Sequence, residues 1–467
     1  MRIHNTNDTI TAPATAAGVG AIAVIRVSGK NAFEIIDSVF TSRGKQTKPI
    51  AALPSHTIHL GWIKDDGRNI DEVLISVFKN PNSYTGEDVV EISCHGSPFI
   101  QQQILQLLVR KGARNAEAGE FTLRAFLNGK LDLSQAEAVA DLIASDSSAS
   151  HDLALKQMRG GYSSEMKQLR NQLLNFASLI ELELDFSEED VEFANRSELA
   201  ALISQLIAHI SNLISSFELG NVIREGIPVV IAGKPNVGKS TLLNALLNEE
   251  RAIVSHIAGT TRDTIEEEIV LDGIKFRFID TAGLRETTDA IERIGVNRTM
   301  EKISSSPLLV YMFDVNETTP AGLIKEIEEL KNNLEASDLK IFLAGNKSDN
   351  HDESKLKKEF SAMEDVLFIS AKEKTNIQSL TKKLVDAINL SGTNQDNAIV
   401  TNARHVEALQ HTKESLENVL SGLNKKLSGD LISSDIRNAL YHLGLITGEV
   451  TTDMLLENIF GKFCIGK

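Results

Sequence analysis

Gly233-Lys234-Pro235-Asn236-Val237-Gly238-Lys239-Ser240 decides the fold of the region around it, because it carries the glycine, lysine and hydroxyl spacing of a phosphate-gripping loop. It follows the apolar run Pro228-Val229-Val230-Ile231-Ala232 and leads into Thr241-Leu242-Leu243-Asn244-Ala245-Leu246, so strand, loop and helix fall in the required order. The glycines let backbone N–H groups from Val237 to Thr241 close around phosphate oxygens, and the helix N-terminus adds the positive end of its dipole. Lys239 is spaced to reach the β- and γ-phosphates, and the Ser240 hydroxyl to ligate magnesium.

Residues downstream choose the nucleotide. Asp280-Thr281-Ala282-Gly283 ends the apolar strand Phe276-Arg277-Phe278-Ile279 and brings Asp280 towards the magnesium. Asn346-Lys347-Ser348-Asp349 follows Ile341-Phe342-Leu343-Ala344, and there the Asp349 carboxylate can accept both the ring N–H and the exocyclic amine of guanine. Adenine has no such donor pair, so the motif discriminates against ATP. Ser370-Ala371-Lys372, after Val366-Leu367-Phe368-Ile369, offers the Ala371 N–H to the guanine O6. Four motifs in this order, each ending a strand, imply a GTP-binding domain.

At 467 residues the chain is too long for one core. Its net charge of −16 argues against a protein that grips nucleic acid with a broad basic face, so an RNA substrate would need a partner to supply much of the phosphate contact. Cys94 and Cys464 are the two cysteines and form no CxxC pair, which fits a reducing compartment without a disulfide or zinc framework. Residues Met1 to Asp8 lack the apolar centre of a signal peptide, and no apolar run approaches the ~20 residues that span a bilayer. The expectation is a soluble, cytoplasmic protein with no membrane partner.

The pattern along the chain divides it into an α+β segment at 1–118, a helical segment at 119–222, an α/β GTPase domain of Ras-like doubly wound type at 223–390, and a second helical segment at 391–467. Ile22–Val27, Glu72–Phe78 and Asp88–Ile92 read as strands, and Pro98 opens a helix that stops at Gly112. Met166, Leu169, Leu173, Phe176 and Ile180 recur at three- and four-residue steps, and Val406, Leu409, Leu416, Val419 and Leu423 also fall on one helix face, which marks both as packing surfaces. The acidic run from Glu181 to Glu192 reads as a solvated helix end and loop, with partner docking as the alternative. Helices on both sides of the GTPase imply one helical domain with the GTPase inserted.

Hydrolysis needs a positioned water and relief of charge. Leu284 directly follows the Asp-Thr-Ala-Gly motif and cannot orient a water by hydrogen bonding. Thr261, in Ala258-Gly259-Thr260-Thr261-Arg262-Asp263, suits magnesium and the γ-phosphate. Asn236 offers a side-chain carbonyl beside the β- and γ-phosphates, where a monovalent cation would meet the charge that an arginine finger otherwise meets. Cys94-His95-Gly96 names no partner to orient a Cys–His nucleophile, and the residues read as a packed thiol beside a turn.

The phosphate loop with Asn236, Gly259-Thr260-Thr261-Arg262-Asp263, Asp280 to Arg285, and Phe463-Cys464-Ile465-Gly466-Lys467 together resemble the MnmE or TrmE family of tRNA modification GTPases. The resemblance covers essentially the whole chain. It includes Asp8-Thr9-Ile10, Ile25-Arg26-Val27-Ser28-Gly29, Thr85-Gly86-Glu87-Asp88, Gly119-Glu120-Phe121-Thr122, Arg124 to Asn128, Lys130 to Leu133 and Gln135 to Ala138. It implies a folate-binding N-terminal domain that dimerises, and a GTPase that needs potassium and acts when two such domains meet. It further implies a heterotetramer with a flavoprotein of the MnmG or GidA type, which carries FAD. Together they would place a carboxymethylaminomethyl or aminomethyl group on C5 of the wobble uridine of tRNA, the carbon coming from a tetrahydrofolate derivative (5,10-methylene, with 5-formyl as an alternative ligand).

Carried over by position, the resemblance assigns potassium to Asn236, Ser255, Ile257 and Thr260, and magnesium to Ser240 and Thr261. His256, Ala258 and Gly259 fall in the same nucleotide-facing loop, and Lys347, Ser370 and Lys372 flank the base. Glu292, which alone is a charged residue near a helix start, becomes the group that orients the attacking water, and Arg285 part of a mobile switch. Arg26, Glu91, Lys130 and Lys467 become folate contacts, cations for the glutamate tail and a carboxylate for the pterin donors, where Arg26 and Glu91 alone read as a strand-edge ion pair. Cys464 would sit beside the folate as base, nucleophile or packing group. The chain departs from the family at Ala14–Gly20, where prolines and a glycine-arginine are usual, and at Ser255, where threonine is usual. Two other readings share many motifs: a ribosome-assembly GTPase switch, which predicts a basic RNA-binding appendage after the GTPase, and a folate-sensing regulatory GTPase.

Overall fold

The computed structural model describes residues 8–44, 48–185, 196–249, 266–280, 306–332, 339–363, 365–388, 399–425 and 427–467. Two compact units emerge: the first holds Met1–Ile143, Leu155–Ser211 and Glu407–Lys467, the second Ala144–Ala154 and Asn212–Val406.

The first unit is built on a seven-stranded sheet in the order β3-β4-β5-β6-β2-β1-β7. Its strands are β1 (Ile10–Pro13), β2 (Ile22–Ser28), β3 (Phe40–Ser42), β4 (Thr57–Asp65), β5 (Arg68–Phe78), β6 (Val89–His95) and β7 (Arg114–Asn115). Only β1 and β7 pair in parallel among these. In β2 every second residue is apolar and buried, so Ala23, Ile25 and Val27 meet Ile75, Val77, Val90 and Ile92 in one core. Helices α1 (Ala32–Asp37) and α2 (Pro98–Arg110) cover that face, with Ile35, Ile36, Ile104, Leu107 and Leu108 fully packed into it. The opposite face keeps apolar side chains in the open: Ile22, Ile58, Leu60 and Leu74 are each more than 40% exposed, and Leu60 lies directly opposite Leu74.

The expected strands at Ile22, Glu72 and Asp88 are present, and the helix opened by Pro98 ends at Arg110. The reading did not anticipate β4. Its apolar residues serve both faces, Ile58 and Leu60 outward and Ile63 into the core, so no alternation stands out.

Helices α3 (Glu120–Leu127), α4 (Leu133–Ala144), α5 (Ser148–Met158), α6 (Ser163–Asp185) and α7 (Arg196–Glu225) follow. Of the stripe on α6, Met166, Leu173 and Ile180 are at 1% exposure or less, while Leu169 and Phe176 are half-buried at its margin. Part of the acidic run after Glu181 lies outside the described residues. α7, at 30 residues, is long and apolar enough to cross a bilayer by length and composition. Its Leu199, Ile203, Leu206, Ile210 and Leu213 nevertheless repeat at three- and four-residue steps and are buried in protein, as in a packed helix. Near the end of the chain, Ala403–Asn424, Gly429–Thr447 and Asp453–Phe460 are helical. Leu456, Phe460 and Phe463 pack on Leu123, Leu133 and Ala136, joining the last helix to α3 and α4.

The second unit is a doubly wound sheet of order β13-β12-β11-β8-β10-β9, from β8 (Ile227–Ala232), β9 (Glu266–Leu271), β10 (Ile274–Asp280), β11 (Leu308–Asp314), β12 (Lys340–Asn346) and β13 (Leu367–Phe368). All neighbours are parallel except the β9–β10 hairpin. A strand buried on both faces should be continuously apolar, and β11, Leu308-Leu309-Val310-Tyr311-Met312-Phe313, is buried throughout. The connections from parallel strands include α8 (Lys239–Glu249), Pro320–Asn332 and Ile377–Ala387.

Candidate functional site

The carboxyl ends of β8, β10, β12 and β13 gather the nucleotide motifs at one edge of the second unit, where open parallel sheets bind ligands. β8 delivers the phosphate loop and Lys239 opens α8. Its ammonium donates to the carbonyl oxygens of Gly233 and Lys234 at 2.7 and 2.9 Å, folded back over its own loop. Asn236 takes a left-handed conformation, φ 61°, and is exposed, as are Ser240 and Thr241. Gly238 has φ 99°, and a Cβ there would lie 2.3 Å from Asn346 Nδ2. Only glycine fits.

Asn346, 3% exposed, ties three motifs together. Its Nδ2 donates to the Val237 carbonyl at 2.7 Å and its Oδ1 accepts from the Ala371 N–H at 2.9 Å. The Ser370 hydroxyl donates to Asp349 and accepts from the Glu373 N–H at 3.1 Å. The Asp349 carboxylate is exposed at the turn, with Lys347 before it in the left-handed region and Lys372 on the surface. The backbone of Asp280 pairs with Ile231 at the end of β10. Ser255, His256, Ile257, Ala258, Gly259, Thr260, Thr261, Thr281, Ala282, Gly283, Arg285 and Glu292 lie outside the described residues.

A second constellation sits in the first unit. Arg26 Nε donates to Glu91 Oε1 at 2.9 Å, its Nη2 lies 2.8 Å from the same oxygen, and the two residues are register partners on β2 and β6. The ion pair expected from the residues is there, but on interior strands rather than at an edge. The guanidinium lies 5.0 Å from the Tyr84 ring centre and 5.4 Å from that of Phe121. Its Nη1 is buried and has no hydrogen-bond partner among the described residues. Such a donor is costly unless a ligand satisfies it.

The segment Cys464–Lys467 reaches the same neighbourhood. Gly119 N–H donates to the Cys464 carbonyl at 3.4 Å, Phe121 N–H to that of Lys467 at 3.2 Å, and Ile465 bridges Ala118. Gly466, φ 97°, passes so close to Pro13 that a Cβ would lie 1.9 Å from its carbonyl oxygen. Cys464 is exposed. Lys130 is exposed near Gly86, whose Cβ position lies 3.2 Å from its Cγ.

Sequence reasoning missed the ionic cluster that braces this region. Arg124, 2% exposed, donates to the Asp8 carbonyl at 2.9 Å, to Glu87 Oε1 at 3.1 Å and to Glu120 Oε1 at 3.0 Å. Arg114 joins Glu120 at 2.6 Å and Asp8 at 2.7 Å. Burial works against the Glu120 charge, but the bonds from Arg114 and the Glu117 N–H outweigh it and hold its carboxyl below the usual range. Burial raises Asp8 in the same way, and Arg114 and Arg124 bring it below its ordinary value. Glu87 and Arg124 stand in recognisable motifs, yet no spacing rule joins residues so far apart.

Asp71 corrects the reading that no group orients His95. It accepts from the His95 N–H at 2.8 Å and bonds His95 Nδ1 at 2.7 Å. Cys94 takes no part: it is buried, its thiol bonds the Ala23 carbonyl, and burial, with the Asp71 charge, pushes it up to about 11. Among the described residues no cluster of His, Cys, Asp and Glu could hold a metal ion.

Fold and site define a guanine-nucleotide-binding P-loop protein whose nucleotide unit lies within a longer α+β and helical chain. The family model for the MnmE helical domain matches residues 133–464, and that for the GTP-binding protein TrmE N-terminus matches residues 9–130. The tRNA modification GTPase MnmE of Cytophaga hutchinsonii is 56% identical over 100% of this chain and 99% of its own length. Those of Christiangramia forsetii and Flavobacterium johnsoniae are 54% and 56% identical over 99% and 98% of this chain, each over 99% of its own length. Among solved structures, Aquifex aeolicus Era is 24% identical, covering 40% of this chain and 66% of that one with a TM-score of 0.28. The chain belongs to the MnmE family of tRNA modification GTPases.

Proposed function

We propose that this GTPase depends on potassium and works with an FAD-containing flavoprotein of the MnmG or GidA type. The complex adds a carboxymethylaminomethyl or aminomethyl group to C5 of the wobble uridine of tRNA, using the one-carbon unit of a tetrahydrofolate derivative. The observation that carries the nucleotide half is the Asn346 amide bridging Val237 and Ala371, which holds the base-reading corner ready. The observation that carries the folate half is the buried Nη1 of Arg26, which has no hydrogen-bond partner among the described residues.

In the nucleotide site, the backbone from Asn236 to Thr241 would receive the phosphates, and Lys239 would exchange its two loop carbonyls for phosphate oxygens. Ser240 and Thr261 would hold magnesium, and Asn236, with Ser255, Ile257 and Thr260, would hold potassium. Those cations supply neutralisation of the charge that develops as the phosphoryl group leaves. The exposed hydroxyl of Ser240 and the left-handed turn at Asn236 fit these roles. Asp349 accepts from the guanine edge. Glu292 orients the attacking water, because Leu284 has no group to do so, and Arg285 belongs to the moving switch.

In the folate site, Arg26 would donate through Nη1 while Glu91 accepts from the pterin, and Lys130 and Lys467 would meet the glutamate carboxylates. Cys464, which is exposed, would stand beside this site as base, nucleophile or packing group. The open sheet face carrying Ile22, Ile58, Leu60 and Leu74 is suited to a second copy, giving a homodimer. We take 1–118 as the folate-binding and dimerisation domain, 119–222 with 391–467 as the helical domain and 223–390 as the GTPase, acting in the cytoplasm.

The test is mass spectrometry of wobble-uridine nucleosides in tRNA from cells lacking the chain, complemented with wild type or Cys464→Ser. Loss of the C5-aminomethyl nucleosides, restored by wild type alone, supports the reading and makes Cys464 essential. An unchanged profile in the deletion strain overturns it.

A further inference from the structure

We propose that Asp314 is a positioning residue for guanine-nucleotide binding, acting through Lys347. Asp314 ends β11 and is the register partner of Asn346 at the end of β12, so it stands beside the base-reading turn without belonging to any nucleotide motif. Its side chain is 5% exposed and lies 2.7 Å from Lys347 Nζ. The other carboxylate oxygen accepts from both the backbone and side-chain N–H groups of Asn316 at 2.9 Å. Asn316 in turn bonds His351 Nε2 at 2.8 Å through its Oδ1, on the far side of the same turn.

A buried carboxylate with three nitrogen partners is a rigid anchor, and what it anchors is unusual. Lys347 has φ 66° and ψ 36°, the left-handed conformation that a long side chain rarely adopts. That turn makes Lys347 the residue before the short helix Ser348–Asn350, which carries Asp349. The Lys347–Asp314 pair therefore holds the peptide geometry that presents Asp349. Burial opposes the Asp314 charge, yet the Lys347 and Asn316 bonds hold its carboxyl below the usual range, so the anchor stays charged at neutral pH. A salt bridge serving only β11 would need no lysine in the left-handed region.

The inference rests on Asp349 reading guanine, and the experiment separates the two. Release of fluorescent GDP from the full chain is followed for wild type, Asp314→Asn, Lys347→Met, Lys347→Arg and the Asp314→Asn/Lys347→Met pair, with fluorescent ADP as control. Loss of one charged hydrogen bond predicts release about tenfold faster in Asp314→Asn and in Lys347→Met. The double variant should be no faster than the faster single one, Lys347→Arg should keep release slow, and the defect should appear in KM for GTP rather than in kcat. Release within about twofold of wild type in Asp314→Asn, or multiplying defects in the double variant, overturns the proposal. The lysine variants change a partly exposed residue, so the Arg-against-Met comparison still decides should Asp314→Asn fold poorly. Wild-type binding of ADP as tight as GDP would instead remove the guanine reading itself.

Discussion

Asn346 Nδ2 donates to the carbonyl oxygen of Val237 at 2.7 Å, across 109 residues of chain, and so locks the base-reading turn to the phosphate loop. Both ends of the bond are buried. In Asn346→Ala the Val237 carbonyl and the Ala371 N–H both lose their partner, at about 1–3 kcal/mol for each buried group left unsatisfied. GDP affinity measured by titration should fall by about tenfold to a hundredfold. An affinity within twofold of wild type would show that the bridge is incidental.

Arg114 and Arg124 together should govern acid stability. Glu120 and Asp8 are both held below their ordinary values of 4.5 and 3.8. A lowered folded-state value adds stability that is complete above the ordinary value and is lost as pH falls towards the folded one. Wild type should therefore lose melting temperature steeply below about pH 4.5. Arg124→Met takes the arginine from Glu87 and leaves Asp8 and Glu120 with Arg114 alone, and breaking a buried ionic network in this way costs about 3–5 kcal/mol at neutral pH. It should also make the acid slope shallower by the share of the lowering that Arg124 supplies, while Arg114, the larger cause, still holds Asp8 and Glu120 down. Parallel wild-type and variant melting curves between pH 7 and 4 would contradict the cluster's role.

Much of the second unit is legible because its signals are local. The phosphate loop needs only eight consecutive residues, and β8, α8 and the ends of β12 and β13 fall where the motifs put them. In the first unit the same method reads β2 and α2 but misses β4, whose apolar residues are shared between faces, and misses Arg124, whose partners Asp8 and Glu87 lie far away in sequence. Arg26 was legible as a charge and as a family position. That its Nη1 has no partner among the described residues, and that it lies close to the rings of Tyr84 and Phe121, emerge only once β2, α3 and the loop before β6 are folded together.

Glu292 and Asn236 make a paired kinetic prediction. Glu292→Ala should bind GTP as wild type does and lose most turnover, because the water loses its guide while the phosphate cradle is intact. Potassium should accelerate hydrolysis where sodium does not, and Asn236→Ala should remove the difference. Full turnover in Glu292→Ala would refute the water-positioning role, and equal rates in both salts would take Asn236 out of the mechanism.

The β9–β10 hairpin should owe part of its stability to a segment distant in sequence. Lys275 Nζ lies 2.9 Å from Asp146 Oδ2, at 11% and 22% exposure, and the Ala149 N–H donates to the Gly273 carbonyl at 3.1 Å. Lys275→Met leaves the Asp146 carboxylate half-buried beside the hairpin and should cost about 1–3 kcal/mol. Hydrogen exchange on the full chain should localise the loss to Glu266–Asp280. Unchanged protection there would mean that the pair is a surface contact without weight.

Arg26→Lys tests the proposed folate site with the charge kept. Lysine retains a cation for Glu91, but it has no planar fork, so it cannot bond Glu91 and a ligand in two fixed directions at once. Its ammonium would also stand off the rings of Tyr84 and Phe121, which now flank a flat guanidinium at 5.0 and 5.4 Å. Calorimetric titration with 5-formyl-tetrahydrofolate should therefore show affinity at least tenfold weaker, about 1.4 kcal/mol. The melting temperature should rise or stay level, because the substitution removes a buried donor that has no partner among the described residues. A falling melting temperature with unchanged folate affinity would mean that Arg26 braces the sheet and that its Nη1 awaits no ligand.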